Sequence, residues 1–130
     1  MSDSKGNDAK TPAPKAQAPD APGVILDRLY KVIESRRNGD PETSHTAKLF
    51  QKGTRKIAQK VGEEAVEVVI EAIREKRERL IGESADLMYH LLVMWADAKI
   101  HPGEVWEELA RREGVSGIAE KRAREKEKTD

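Results

Sequence analysis

The chain has 130 residues, of which 37% are charged and only 4% aromatic, so one small domain is expected. Its 24 basic and 24 acidic residues cancel, which leaves no overall field that would draw it to nucleic acid or to an anionic membrane. Cysteine is absent, and this excludes disulfides, thiol catalysis and cysteine-ligated zinc or iron–sulfur centres. Because the net charge is zero, any binding of anions must depend on a local group of basic residues.

The longest apolar stretch, residues 87–96, is interrupted by His90 and flanked by Asp86 and Asp97. It is far shorter than the roughly 20 residues that span a bilayer. The N-terminus also lacks the apolar core of a signal peptide. We therefore expect no membrane span, no membrane or nucleic-acid partner, and a cytoplasmic location.

Composition divides the chain into three parts. Residues 1–23 contain four prolines and, after Met1, no large apolar side chain, so they are predicted to be a disordered tail. Residues 120–130 alternate bases and acids and are predicted to form a frayed, solvated helical tail. The functional domain is then residues 24–119.

Helical periodicity recurs throughout this domain. Leu26, Leu29, Tyr30 and Ile33 are spaced i, i+3, i+4, i+7, which predicts a helix over 24–37. The prediction adds a short helix over 46–52, capped by Thr43 or Ser44, and a long helix over 54–76, capped by Thr54. It is completed by a second long helix over 78–98 and a last helix from Pro102 to just before Gly114. No segment alternates with the period of a strand, so the predicted fold is all-α.

The two long helices are apolar over most of their circumference. Their polar side chains fall into narrow stripes of roughly 80° and 60° at 100° per residue. The stripes are Lys60, Glu63, Glu64, Glu67 and Glu71 on the first helix, and Arg79, Glu83, Asp86, His90 and Asp97 on the second. Such helices need neighbours on several sides, so we predict an antiparallel hairpin that pairs in a homodimer around a four-helix bundle.

Carboxylates dominate the facing stripes. Glu64 and Glu67, and likewise Glu83 and Asp86, are three residues apart and so share one helical face. Carboxylate oxygens are the ligands that Mg²⁺ or Mn²⁺ prefers, which predicts a divalent metal site. The alternative is that the stripes are the solvated faces of amphipathic helices.

A basic segment precedes the acids. Residues 48–60 contain Lys48, Lys52, Arg55, Lys56 and Lys60 and no acid. Bases in the first turn of a helix oppose its dipole, whereas an anion there is stabilised by the free N–H groups. The segment indicates a phosphate site, although a solvated basic turn would have the same composition. Beside a carboxylate cage, the combination favours a metal-bound polyphosphate.

The acidic pattern, Glu64-x-x-Glu67 followed by Glu83-x-x-Asp86, resembles the signature of the all-α nucleoside triphosphate pyrophosphohydrolases, the MazG-like superfamily. The surrounding residues at 44–72, 83–95 and 104–121 closely resemble the phosphoribosyl-ATP pyrophosphohydrolase family of histidine biosynthesis. This resemblance implies a nucleotide substrate and Mg²⁺-dependent hydrolysis of its α,β-phosphoanhydride, releasing pyrophosphate.

Carried over by position, the resemblance implies that Glu64, Glu67, Glu83 and Asp86 bind the metal. Glu63 would be a further ligand or would assist the attacking water, so the candidate catalytic residues are Glu63 and Glu64. The same resemblance implies phosphate contacts from Lys48, Lys56, Lys60 and Arg36. His45 is a departure, because the family commonly has tyrosine there.

Two other functions remain open at this stage. One is a (d)NTP pyrophosphohydrolase of the same superfamily that removes non-standard or surplus nucleotides, since its metal site would be indistinguishable. The other is a non-catalytic helical dimer that acts as a scaffold. Turnover of phosphoribosyl-ATP compared with dNTPs separates the first from the histidine enzyme, and loss of activity on substituting Glu64 or Asp86 excludes the second.

Overall fold

The computed structural model describes residues 22–114 and 117–129, and within them it contains six helices and no strand. The helices are α1 (Pro22–Ser35), α2 (His45–Lys52), α3 (Thr54–Arg74), α4 (Arg77–Asp97), α5 (Pro102–Arg112) and α6 (Gly117–Thr129). The all-α prediction is confirmed. Most of the predicted tail, residues 1–21, lies outside the described residues, whereas Pro22 and Gly23 already belong to α1.

The long helices α3 and α4 form the predicted hairpin. They pack along each other and are joined by a short turn at Glu75 and Lys76. Glu75 adopts a left-handed conformation with φ of 58°. The N–H groups of Glu75 and Lys76 donate to the carbonyls of Ala72 and Glu71, both at 3.2 Å, and this closes α3. Because the turn is so short, residues of α3 and α4 at equal distances from it lie opposite each other.

The buried core lies at the far end of the hairpin from this turn. There α1 and α2 pack against the start of α3 and the second half of α4, and the core side chains are Tyr30, Ile33, Leu49, Ile57, Leu92, Val93 and Ala96. The Tyr30 hydroxyl donates to the Ile100 carbonyl at 2.8 Å, and Arg37 Nη2 donates to the Ala96 carbonyl at 2.6 Å. These contacts hold α1 against the end of α4 and fix that half of the hairpin.

The caps of α2 and α3 differ. Ser44 caps α2, since its Oγ accepts a hydrogen bond from the Ala47 N–H at 3.1 Å. The prediction that Thr54 caps α3 is wrong, because Gly53 occupies the cap position without a side-chain hydrogen bond. The Thr54 hydroxyl instead donates to Asp97 Oδ2 at 2.6 Å and links α3 to the end of α4. The first turn of α3 therefore keeps backbone N–H groups that no cap side chain binds.

The half of the hairpin nearer the turn leaves large apolar side chains exposed: Val66, Val69, Ile70, Ile73 and Ile81. Ile73 is the most exposed of these, at 76%. Among the described residues, no helix is both long enough and apolar enough to cross a bilayer.

Candidate metal and phosphate site

Three carboxylates from the two long helices meet along the hairpin. Glu64 on α3 and Glu83 and Asp86 on α4 each offer an oxygen, and these oxygens all lie within 4.8 Å of one another. Glu83 and Asp86 share a face because they are three residues apart, and the antiparallel packing of α3 brings Glu64 opposite them. We call these three residues the carboxylate cluster.

The charges of the cluster are poorly compensated by the protein. Within the described residues, Glu83 and Asp86 form no ion pair, and Glu64 has only Lys60, whose Nζ lies 3.9 Å from Oε2. Partial burial of Glu83, and after it the charges of Glu64, Glu67 and Asp86, raise the pKa of the Glu83 carboxyl. The cluster therefore carries repulsion that a bound cation would relieve.

Two predicted acids lie beside the cluster rather than in it. Glu67 is exposed, and its carboxylate is outside the set of mutually close oxygens, although its charge acts on Glu83. Glu63 is also exposed; its Oε2 accepts a hydrogen bond from Gln59 Nε2 at 2.7 Å, and Lys60 Nζ lies 3.5 Å from Oε1. The bond from Gln59, together with Lys60 and Lys56, lowers the pKa of Glu63. The structure thus brings together three of the four predicted ligands.

The last acid of the α3 stripe belongs to a different group near the turn. Glu71 is 3% exposed, and its Oε2 lies 3.4 Å from Arg79 Nε and 3.5 Å from Arg74 Nη1. Its Oε1 is buried without a hydrogen-bond partner in the described part of the chain. We call Glu71, Arg74 and Arg79 the turn-end ion group. The sequence placed Glu71 and Arg79 on facing stripes but gave no pairing between them.

The predicted phosphate-binding residues are divided between two regions. Lys48 lies exposed on α2, while Lys56 and Lys60 lie partly exposed on α3, and Lys60 contacts the acids directly. Arg36 is exposed in the turn after α1, and no hydrogen bond or ion pair of its side chain joins it to the described acids. Three lysines therefore lie on the helices that carry or border the carboxylate cluster, and Arg36 is not brought to it.

A group of rings follows Asp86 by one helical turn. The rings of Tyr89 and His90 meet edge to face with centroids 4.9 Å apart, and His45 stacks on Tyr89 at 6.3 Å. His90 is buried, and its Nδ1–H donates to the Asp86 carbonyl at 2.8 Å, which makes Nδ1 the protonated nitrogen in the neutral ring. The Tyr89 hydroxyl is hydrogen-bonded to the Thr46 hydroxyl. The sequence placed His90 on the polar stripe of the second long helix but did not identify Tyr89.

The chain is similar to known proteins over most of the described residues. A family model described as phosphoribosyl-ATP pyrophosphohydrolase matches residues 26–113. A phosphoribosyl-ATP pyrophosphatase of Azospirillum brasilense is 64% identical over 101 residues, covering 78% of this chain and 91% of the relative. Proteins of the same name from Gluconobacter oxydans and Paramagnetospirillum magneticum are 61% and 60% identical, with 81% and 78% of this chain and 79% and 94% of the relatives covered.

The match includes the carboxylate cluster, the lysines of α2 and α3, and the ring group, because all of them lie between residues 26 and 113. Between 79% and 94% of the length of these three relatives is covered, so the likeness is not confined to one motif. The chain belongs to the phosphoribosyl-ATP pyrophosphohydrolase family.

Proposed function

We propose that the chain hydrolyses the α,β-phosphoanhydride of phosphoribosyl-ATP, giving phosphoribosyl-AMP and pyrophosphate in the second step of histidine biosynthesis. Family membership supports the reaction. The observation that carries the chemistry is the carboxylate cluster, in which oxygens from two helices lie within 4.8 Å of one another. A nucleotide metabolite as substrate also favours the cytoplasm as the compartment where the enzyme works.

The cluster fits a magnesium ion. All of its donors are carboxylate oxygens, which Mg²⁺ and, as a substitute, Mn²⁺ prefer over nitrogen or sulfur ligands. Glu64, Glu83 and Asp86 would hold the ion, with Glu67 as a fourth ligand after a side-chain movement. When bound, Mg²⁺ neutralises phosphate oxygens and makes the anhydride easier for water to attack.

The remaining residues bind and orient the substrate. Lys60 lies between Glu63 and Glu64 and can contact a phosphate oxygen held near the cluster. Lys48 on α2 and Lys56 on α3 add positive charge within the basic segment 48–60, and the uncapped first turn of α3 offers backbone N–H groups. Glu63 is either a further ligand or the group that holds the attacking water. Hydrolysis adds water across one P–O bond and needs no covalent enzyme intermediate.

The exposed apolar side chains of α3 and α4 support a homodimer as the working form. Val66, Val69, Ile70, Ile73 and Ile81 lie on the half of the hairpin that α1 and α2 do not cover. A second copy would bury them and complete a four-helix bundle. Sedimentation of Ile73→Glu should give monomers, whereas Ile118→Glu, at an exposed position on α6, should sediment as wild type. A monomeric wild type would contradict the dimer.

A substrate comparison tests the proposed reaction. Pyrophosphate release should be Mg²⁺-dependent and faster from phosphoribosyl-ATP than from any member of a dNTP panel. Faster turnover of a dNTP would overturn the substrate and favour a house-cleaning enzyme. No release from any nucleotide would favour a non-catalytic scaffold.

A further inference from the structure

His45 contacts the turn of α4 that follows the carboxylate cluster, and nearby lysine charges act on its ring. It is the first residue of α2, directly after the Ser44 cap, and its side chain is exposed. Its ring stacks on Tyr89 with an interplanar angle of 25° and meets His90 edge to face with centroids 6.1 Å apart. The exposed imidazole is therefore held in place by α4 while remaining open to a ligand.

The charged groups around His45 point to an anion as that ligand. Lys48 and Lys52 on its own helix form no ion pair with a described residue, so their charges are not cancelled by the protein. Lys60 reaches the same region from α3, and Tyr89 and His90 face it from α4. Two uncompensated cations on α2, with Lys60 of α3 acting on the same exposed ring although it also contacts Glu63 and Glu64, form a surface that an anionic group would complete.

We propose that His45 is a substrate-binding residue whose imidazole contacts the phosphate oxygens of the bound nucleotide beside Lys48 and Lys60. The proposal rests on the proposed function, because it takes phosphoribosyl-ATP as the nucleotide. Stacking on Tyr89 fixes the ring plane before the substrate arrives, which lowers the entropy lost on binding.

This contact makes substrate binding depend on pH. In the free protein, partial burial and then the charges of His90, Lys60, Lys48 and Lys52 lower the pKa of His45 below 6.5. A phosphate brings negative charge and raises the pKa of His45 again, so binding is accompanied by proton uptake. Affinity is therefore highest below the pKa of the free ring and falls as pH rises through the pKa of the bound ring.

Steady-state kinetics on the full chain at pH 6 and pH 8 test the proposal. His45→Phe keeps a ring to stack on Tyr89 but removes the N–H donor, and His45→Gln keeps a donor without a charge. We expect both to raise KM about tenfold at pH 6, much less at pH 8, with kcat within about twofold. Lys31→Gln removes an exposed base of α1 and serves as the control, with an unchanged KM at both pH values.

Two results would overturn the proposal: a wild-type KM in His45→Phe at pH 6, or an equal rise at both pH values. Calorimetric binding of inorganic pyrophosphate with Mg²⁺ separates this failure from that of the proposed function. If wild type does not turn over phosphoribosyl-ATP, the function fails, and weaker pyrophosphate binding by His45→Phe at pH 6 would still support the contact. Equal pyrophosphate binding by wild type and His45→Phe would reject it.

Discussion

Acidic side chains occur at two levels of the same hairpin, and the protein treats them differently. Near the turn, Glu71 is almost fully buried and two arginines lie within 3.5 Å of its carboxylate. In the carboxylate cluster, Glu83 and Asp86 have no ion pair within the described residues, and only Lys60 approaches Glu64. The chain itself compensates the charge of Glu71 in the turn-end ion group, whereas it leaves the charges of the carboxylate cluster largely uncompensated.

The difference separates an acid that stabilises the fold from acids that we propose bind a cation. Burying a carboxylate costs free energy unless a cation or hydrogen bonds compensate it. The arginines supply that compensation for Glu71, so no external ion is required there. The cluster lacks such compensation and holds three acids together, which is an arrangement that favours binding of a divalent cation.

The largest effect on activity is expected from substitutions in the carboxylate cluster. Glu64→Gln or Asp86→Asn should lower kcat/KM at least ~100-fold, because each removes a carboxylate from the proposed metal site. Neither should lower the melting temperature, since each also removes a repelling charge from the cluster. Pyrophosphate release and thermal melting measure the two outcomes. A tenth of wild-type activity in both variants would count against the metal site.

A substitution in the turn-end ion group should have the reverse effect, lowering stability while leaving activity nearly unchanged. Arg79→Ala leaves Glu71 buried with less compensation, and we expect the free energy of unfolding to fall by about 1–2 kcal/mol. The value is modest because the Arg79 side chain is 66% exposed. Urea titration measures it, and kcat/KM should stay within about threefold. Arg77→Ala, in the same turn of α4 and without a described ion pair, is the control, and equal stability of the two variants would contradict the pairing.

Removing a proposed phosphate contact near the carboxylate cluster should affect substrate binding rather than stability. Lys56→Ala removes a charge from the partly exposed face of α3, and we expect KM to rise several-fold, about 1 kcal/mol of substrate binding, with little change in kcat. Initial rates over a range of phosphoribosyl-ATP concentrations measure both constants. An unchanged KM would remove Lys56 from the phosphate site.

The smallest effect on stability is expected at Glu108, a surface acid that forms ion pairs with two arginines. Hydrogen bonds from Arg111 and then Arg112 lower the pKa of Glu108 to about 2. A depressed pKa stabilises the fold above the unfolded value of 4.5, and that contribution is lost as pH falls through about 2. Glu108→Gln should therefore be slightly less stable than wild type at pH 7 and equal to it near pH 2. A difference that persists at pH 2 would contradict the ion pairing.

The sequence predicted the helices well because the local signals agreed. Ends marked by Gly53, Pro102 and the Asn38–Pro41 segment lie within two residues of the observed ends. The predicted Thr54 cap was wrong because the hydroxyl binds Asp97, a contact between residues 43 positions apart that no local pattern contains. Tertiary contacts decide where a polar side chain goes once its helix is packed.

The candidate site was predicted in part for the same reason. Spacing placed Glu64, Glu67, Glu83 and Asp86 on facing stripes, but it does not show that the Glu67 carboxylate lies outside the set of mutually close oxygens. The four acids at 63, 64, 67 and 71 suggested an external cation for all of them. For Glu71 the compensation is internal: Arg74 lies three residues away on the same helix, whereas the contact with Arg79 of the next helix depends on the antiparallel register of the hairpin.

Manganese binding is the most direct test of the proposal that the carboxylate cluster binds a divalent metal ion. Titration of the full chain with Mn²⁺, followed by electron paramagnetic resonance of the free ion, should show saturable binding in wild type and in Arg79→Ala. In Glu83→Gln the affinity should be at least about tenfold weaker. Equal manganese affinity in wild type and Glu83→Gln would contradict a metal site built on the carboxylate cluster.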